Sequence, residues 1–86
     1  MDIDLKPGEV FRYISAGDGD VSIISIVRKA DGGAHGPRYT VHAEVIRSGY
    51  PDELLSTHDL EDPPFFNSEV DAVVATQGMA LRLLTR

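Results

Sequence analysis

The sequence predicts an α+β fold, a three-stranded antiparallel β-meander followed by a C-terminal α-helix packed on one face (β-β-β-α). Residues 9–48 contain three runs rich in β-branched and aromatic residues, separated by turn-forming segments. Residues 68–84 instead repeat their apolar side chains at helical spacing. A chain of 86 residues has room for one hydrophobic core, so we expect a single domain over residues 1–86.

The first two strands are predicted over residues 9–15 and 21–29. The first run contains Val10, Phe11, Tyr13 and Ile14, and the second is rich in isoleucine and valine. A five-residue link of alanine, glycine and aspartate joins them, which is short enough for a hairpin. We therefore expect the two strands to pair in antiparallel fashion.

The third strand is predicted over residues 38–48, because apolar and polar residues alternate there with a period of two. The segment that follows is interpreted differently. Pro51 with Asp52 and Glu53 just behind it is typical of the first turn of a helix, so residues 51–56 are predicted to form a short helical turn. Two consecutive prolines at 63 and 64 prevent any continuation.

The C-terminal helix is predicted to begin at about Ser68 and end at about Leu84. Ser68 with Asp71 three residues later resembles a capping box, and Arg82 lies where a cation favours the helix dipole. At about 100° per residue, one stripe of the helix collects most of the large apolar side chains. We expect that stripe to pack on the sheet; its members are Val70, Val73, Val74, Gln77, Leu81 and Leu84.

The sequence contains more apolar residues than one sheet face and one helix stripe can bury against each other. The rest are covered either by the segment from Tyr50 to Phe66 or by a second copy of the chain. The chain has no cysteine and therefore no disulfide or thiolate staple, and a core of this size is marginal. The sequence therefore predicts a homodimer, with interface residues on the second strand and on the other side of the helix: Ile24, Ile26, Ala72, Met79 and Leu83.

Charge points to a protein partner. The net charge is −6, and residues 48–81 contain seven acids and no lysine or arginine, which disfavours direct contact with nucleic acid. The start of the chain lacks the pattern of a signal peptide and no apolar run reaches membrane-spanning length, so we expect a cytoplasmic protein that does not enter membranes. An acidic surface that binds a basic protein is predicted from Asp52, Glu53, Asp59, Glu61 and Asp62.

Motifs for catalysis are weak. His42 and Glu44 have the H-x-E spacing of zinc deaminases, but those enzymes also need cysteines, so a polar cross-strand pair is the better interpretation. The acids around His58 lack the spacing of a calcium loop. No G-x-S-x-G, S-x-x-K or phosphate-binding motif is present. We therefore predict no catalytic residue, metal ligand or cofactor.

The sequence thus predicts a small acidic, non-enzymatic interaction protein that self-associates. One alternative is an acidic inhibitor whose carboxylates mimic nucleic-acid phosphates at a basic protein site. A second alternative is a small metal-assisted enzyme.

Overall fold

One antiparallel sheet and one helix make up the computed structural model, which describes residues 5–17 and 19–84. The strands pair in chain order, and the helix follows the last of them. None of the helical segments in the described part of the chain has the length and apolarity needed to cross a membrane. The elements are β1 (Glu9–Ala16), β2 (Val21–Asp31), β3 (Pro37–Arg47), β4 (Glu53–Asp59) and α1 (Glu69–Leu84), with a 3₁₀ turn (Gly33–His35) between β2 and β3.

The α+β class, the antiparallel pairing and the C-terminal helix are confirmed, but the number of strands was predicted wrongly. The sheet has four strands, and β4 replaces the helical turn predicted at residues 51–56. The pairing of β4 with β3 shifts by one residue at Leu55, so the alternation of side chains is interrupted there. That interruption hides the period of two by which a strand is recognised in a sequence.

The core lies between α1 and one face of the sheet. The helix packs across β2 and β3, and side chains of the 60–66 segment close one margin of the core. Backbone groups of Phe66 and Tyr39 exchange two hydrogen bonds of 2.8 Å, which fix this segment beside β3. The buried residues of this core are Ile23, Val27, Tyr39, Val41, Ala43, Ala72, Met79 and Ala80.

The side of α1 that faces the sheet is not the one predicted. The buried side is built from small residues, Ala72, Thr76 and Ala80, together with Met79. Small side chains let the helix axis approach the sheet, whose own bulky residues fill the space between them. The predicted stripe of larger residues is mostly turned to solvent, and only its Val73 packs against the core.

The opposite face of the sheet, here called the helix-free face, carries no helix, and the second side of β2 is covered there by side chains of the neighbouring strands. Ile26 is fully buried there although it does not belong to the core under the helix. Its partners across the two neighbouring ladders are Arg12 and His42, whose side chains are also largely buried. Because residues opposite one another on a face lie in contact, these two long side chains flank Ile26 and shield it.

Candidate interaction surface

An exposed apolar stripe runs along α1 on the side away from the core. The side chains of Val70, Val74 and Leu81 are 69%, 59% and 62% exposed, and Leu84 is also exposed. Gln77 lies between them, so that successive members are four, three, four and three residues apart, the spacing of a coiled-coil seam. We call Val70, Val74, Gln77, Leu81 and Leu84 the helix stripe.

A groove of about 500 Å³ lies beside the helix stripe. It exists because α1 packs on β2 and β3, so that the side chains of β1 on the same face are left beside the helix and not beneath it. The rings of Phe11 and Tyr13 form one wall, with centroids 6.4 Å apart and planes 12° from parallel. We call it the apolar groove; it is lined by Phe11, Tyr13, Ser15, Ser25, Val73, Thr76, Gln77, Ala80, Leu81 and Leu84.

The two ends of α1 carry opposite charges. Glu69 and Asp71 lie in the first turn, and Arg82 lies in the last. The predicted N-terminal cap is present in a weak form, because the backbone N–H of Asp71 donates to the Ser68 hydroxyl at 3.5 Å, the long limit for a hydrogen bond. Both arrangements follow the helix dipole, which favours anions at the start and cations at the end.

The structure does not bring the five predicted interface residues together. Ala72 and Met79 are buried under the helix in the chain's own core, with Leu83 packed at its margin. Ile24 and Ile26 lie on the helix-free face, where Ile26 is fully buried. These two groups are on opposite sides of the sheet, so a single contact cannot use both.

A buried ion pair lies on the helix-free face. The carboxylate of Glu9 accepts hydrogen bonds from the Arg12 Nε at 3.1 Å, the Arg12 guanidinium Nη2 at 3.2 Å and the Lys6 backbone N–H at 3.0 Å. The hydrogen bond from Arg12 lowers the pKa of Glu9 against the opposing effect of burial, and the same bond raises the pKa of Arg12. Sequence reasoning missed this pair, which only the fold buries.

His42 lies between two carboxylates, as a polar cross-strand cluster. Its Nδ1 is 2.6 Å from Asp59 Oδ1, and its Nε2 is 3.6 Å from Glu44 Oε2. Because the two carboxylates approach opposite ring nitrogens, the three groups do not converge on one point as the ligands of a metal ion must. In the described part of the chain, no group of three or more histidine, aspartate or glutamate side chains is placed to hold a metal ion.

The predicted acidic surface divides into two groups at opposite ends of β4, about 20 Å apart at the usual rise of a strand. At one end, Asp52 accepts the Gly49 backbone N–H at 2.9 Å and Glu53 pairs with Arg47 at 3.2 Å. At the other end, Glu61 and Asp62 line a second groove of about 410 Å³, together with Asp59. The phosphate-mimic function stays a prediction.

One contact on β4 resembles part of a catalytic site. The Ser56 hydroxyl and the His58 Nε2 are 2.9 Å apart, on the side of the sheet that carries the helix. Residues two apart on a strand share a face, but the predicted helical turn concealed this. A nucleophilic serine also needs a cavity for its substrate. Ser56 lines neither of the two grooves described above, whereas His58 lines the second.

Comparison with known proteins supplies no further assignment. The chain matches no protein-family model, no curated protein and no solved structure.

Proposed function

We propose that this protein is a small, acidic, non-enzymatic interaction protein that self-associates through the helix stripe. One observation carries the proposal: α1 fills the core with one side and exposes large apolar side chains at coiled-coil spacing on the other. Isolated apolar residues on a surface are ordinary, but a continuous apolar patch on a small protein marks a contact site. The interface predicted from the sequence is thereby moved from Met79 and Leu83 to the exposed side of the same helix.

The area available supports a second copy as the occupant. Tyr13 is 57% exposed and borders the stripe across the apolar groove. From the exposed fractions, the helix stripe and Tyr13 offer on the order of 500 Å² per chain, so that two copies would bury at most about 1,000 Å² if all of this surface were covered. That value meets the lower threshold for a specific protein interface, and burial of each large apolar side chain contributes about 1.5–3 kcal/mol at most.

The charges of α1 favour an antiparallel arrangement of the two helices. Antiparallel packing places Glu69 and Asp71 of one copy near Arg82 of the other, and it also opposes the two helix dipoles. About a two-fold axis at Gln77, Val70 then faces Leu84 of the partner copy. The two Gln77 amides meet at the axis, where one hydrogen bond between them would set the register.

Sedimentation equilibrium of Val74→Glu tests the proposal. We expect the unaltered chain to be a dimer at micromolar concentration and the variant to be a 9.4 kDa monomer, because a charge would be buried in the seam. Glutamate is a better helix former than valine, so the exposed substitution should leave the fold intact. The control is Ile14→Glu, which should remain dimeric, because Ile14 is an exposed apolar residue (47%) on the helix-free face.

Two results would contradict the proposal. The unaltered chain could sediment as a monomer up to high micromolar concentration, in which case the stripe binds no second copy. Alternatively, Ile14→Glu could dissociate the dimer while Val74→Glu does not, which would place the contact on the helix-free face.

A further inference from the structure

The apolar groove has the dimensions of a small-molecule site. Its volume of about 500 Å³ lies within the usual range of roughly 300–1,000 Å³ for such sites. Its walls come from two rigid elements, the aromatic side chains of β1 on one side and Val73, Leu81 and Leu84 of α1 on the other. A site held by a strand and a helix is formed before any ligand arrives.

The groove is uncharged. None of its lining side chains is ionisable at neutral pH, although 26% of the chain is charged and the net charge is −6. A charged ligand would give up its hydration on entering and would find no counter-charge in return. An anion would in addition be repelled by the protein as a whole. The lining therefore selects a neutral ligand.

Two hydroxyl groups lie at the floor of the groove. Ser25 and Thr76 are each 3% exposed, and both line the groove. The Thr76 hydroxyl donates to the Val73 carbonyl at 2.6 Å, which leaves its oxygen able to accept. The Ser25 hydroxyl can both donate and accept. A ligand hydroxyl that reaches this floor can therefore be hydrogen-bonded while the rest of the ligand contacts apolar walls.

We propose that the apolar groove binds a neutral aromatic alcohol, with its ring against Phe11 and Tyr13 and its hydroxyl at Ser25 and Thr76. The nearly parallel rings of Phe11 and Tyr13 favour a planar ligand body that can lie along them. All the groups invoked belong to one chain, but Tyr13, Leu81 and Leu84 also border the proposed contact between copies, so a second copy and the ligand would compete for this surface.

Calorimetric titration with 2-naphthol and 2-naphthoate tests the proposal, because the two probes share a ring system and differ in charge. We expect one 2-naphthol site per chain and at least tenfold weaker binding of 2-naphthoate. Amide shifts in NMR spectra should change at Ser25 and Thr76 and stay unchanged on the helix-free face. Equal affinity for the two probes would overturn the proposal, and so would the absence of saturable 2-naphthol binding in both the unaltered chain and the monomeric variant Val74→Glu.

Variants locate the site. Ser15→Phe puts a ring in place of a small lining side chain and should weaken 2-naphthol binding more than tenfold. Ser22→Phe changes a half-buried serine on the helix-free face and should not affect binding. Ser25→Ala removes one hydrogen bond and should weaken binding about three- to tenfold. If Ser15→Phe does not fold, Ser25→Ala still tests the proposal. Unchanged affinity in Ser25→Ala and a folded Ser15→Phe would overturn the assignment.

The monomeric variant Val74→Glu separates this site from the proposed function, since Val74 does not line the groove. We expect it to bind 2-naphthol at least as tightly as the unaltered chain, because a second copy covers Tyr13, Leu81 and Leu84 in the dimer and leaves them open in the monomer. Loss of binding in this variant would overturn the single-chain site and place the ligand between two copies. Binding by the variant alone would support the single-chain site and show that the second copy covers it in the dimer.

Discussion

Removing the arginine of the buried pair on the helix-free face should destabilise the protein severely. The side chains of Glu9 and Arg12 are 1% and 11% exposed, and both carboxylate oxygens of Glu9 accept hydrogen bonds from Arg12. Arg12→Met keeps much of the side-chain volume but removes the guanidinium that is hydrogen-bonded to the buried Glu9 carboxylate, which leaves only the weaker attraction of Arg28. Breaking a buried pair in this way costs about 3–5 kcal/mol. A domain of this length has a total stability of about 4–13 kcal/mol, so a large part of it would be lost.

Urea denaturation of a double-mutant cycle measures the effect. Glu9→Gln in the Arg12→Met background removes the unpaired charge, so the double variant should be more stable than the two single losses added together predict. The matched control is Arg47→Met, whose partner Glu53 is 3.2 Å away on the surface with both side chains more than half exposed. That substitution should cost less than about 1 kcal/mol. Equal losses of unfolding free energy in Arg12→Met and Arg47→Met would refute the argument that burial makes the pair of Glu9 with Arg12 the stronger one.

The same pair predicts a pH dependence. Because the pKa of Glu9 is lowered in the folded chain from its ordinary value of 4.5, the carboxylate contributes stability that is fully present above about pH 4.5. This contribution is lost as the pH falls through the lowered pKa. The unfolding free energy of the unaltered chain should therefore decrease more steeply below pH 4.5 than that of Glu9→Gln. Parallel curves for the two proteins would contradict the assignment of the lowered pKa.

Two further predictions concern α1, and urea denaturation measures both. Gly78→Ala should stabilise the protein by about 0.5–1 kcal/mol, because a methyl group there meets nothing within 4 Å and glycine is a poor helix former; a loss of stability would contradict it. Ser68→Ala should cost only about 0.5 kcal/mol, the low end for a cap, because the capping bond is long. A larger loss of stability in Asn67→Ala would show that Asn67, one residue earlier, is the N-cap of the helix.

The first three strands and the helix could be predicted because local signals are sufficient for them. Residues 38–48 alternate cleanly, and the observed β3 spans Pro37–Arg47. The predicted helix over residues 68–84 is confirmed to within one residue, since its start is marked by Ser68 and by acids in the first turn. Such signals depend on neighbours in the sequence and therefore do not require knowledge of the tertiary fold.

The side of α1 that packs could not be predicted in the same way. A helical wheel ranks residues by apolarity, and it selects the valines and leucines over Ala72, Thr76 and Ala80. Packing against a sheet that already carries large side chains instead favours small residues, because the total volume is fixed. The apolar groove and the pair of Glu9 with Arg12 were also hidden, since both depend on which strands the helix covers.

The position of β4 at an edge of the sheet has a consequence for aggregation. An edge strand offers unpaired backbone groups, and Leu54 and Leu55 add exposed apolar surface to this one. If two copies joined β4 to β4 symmetrically in antiparallel register, Glu53 of each copy would lie opposite Asp59 of the other. Like charges would then meet at both ends of the new ladder. Glu53 and Asp59, which begin and end β4, thus disfavour extension of the sheet from one chain to the next.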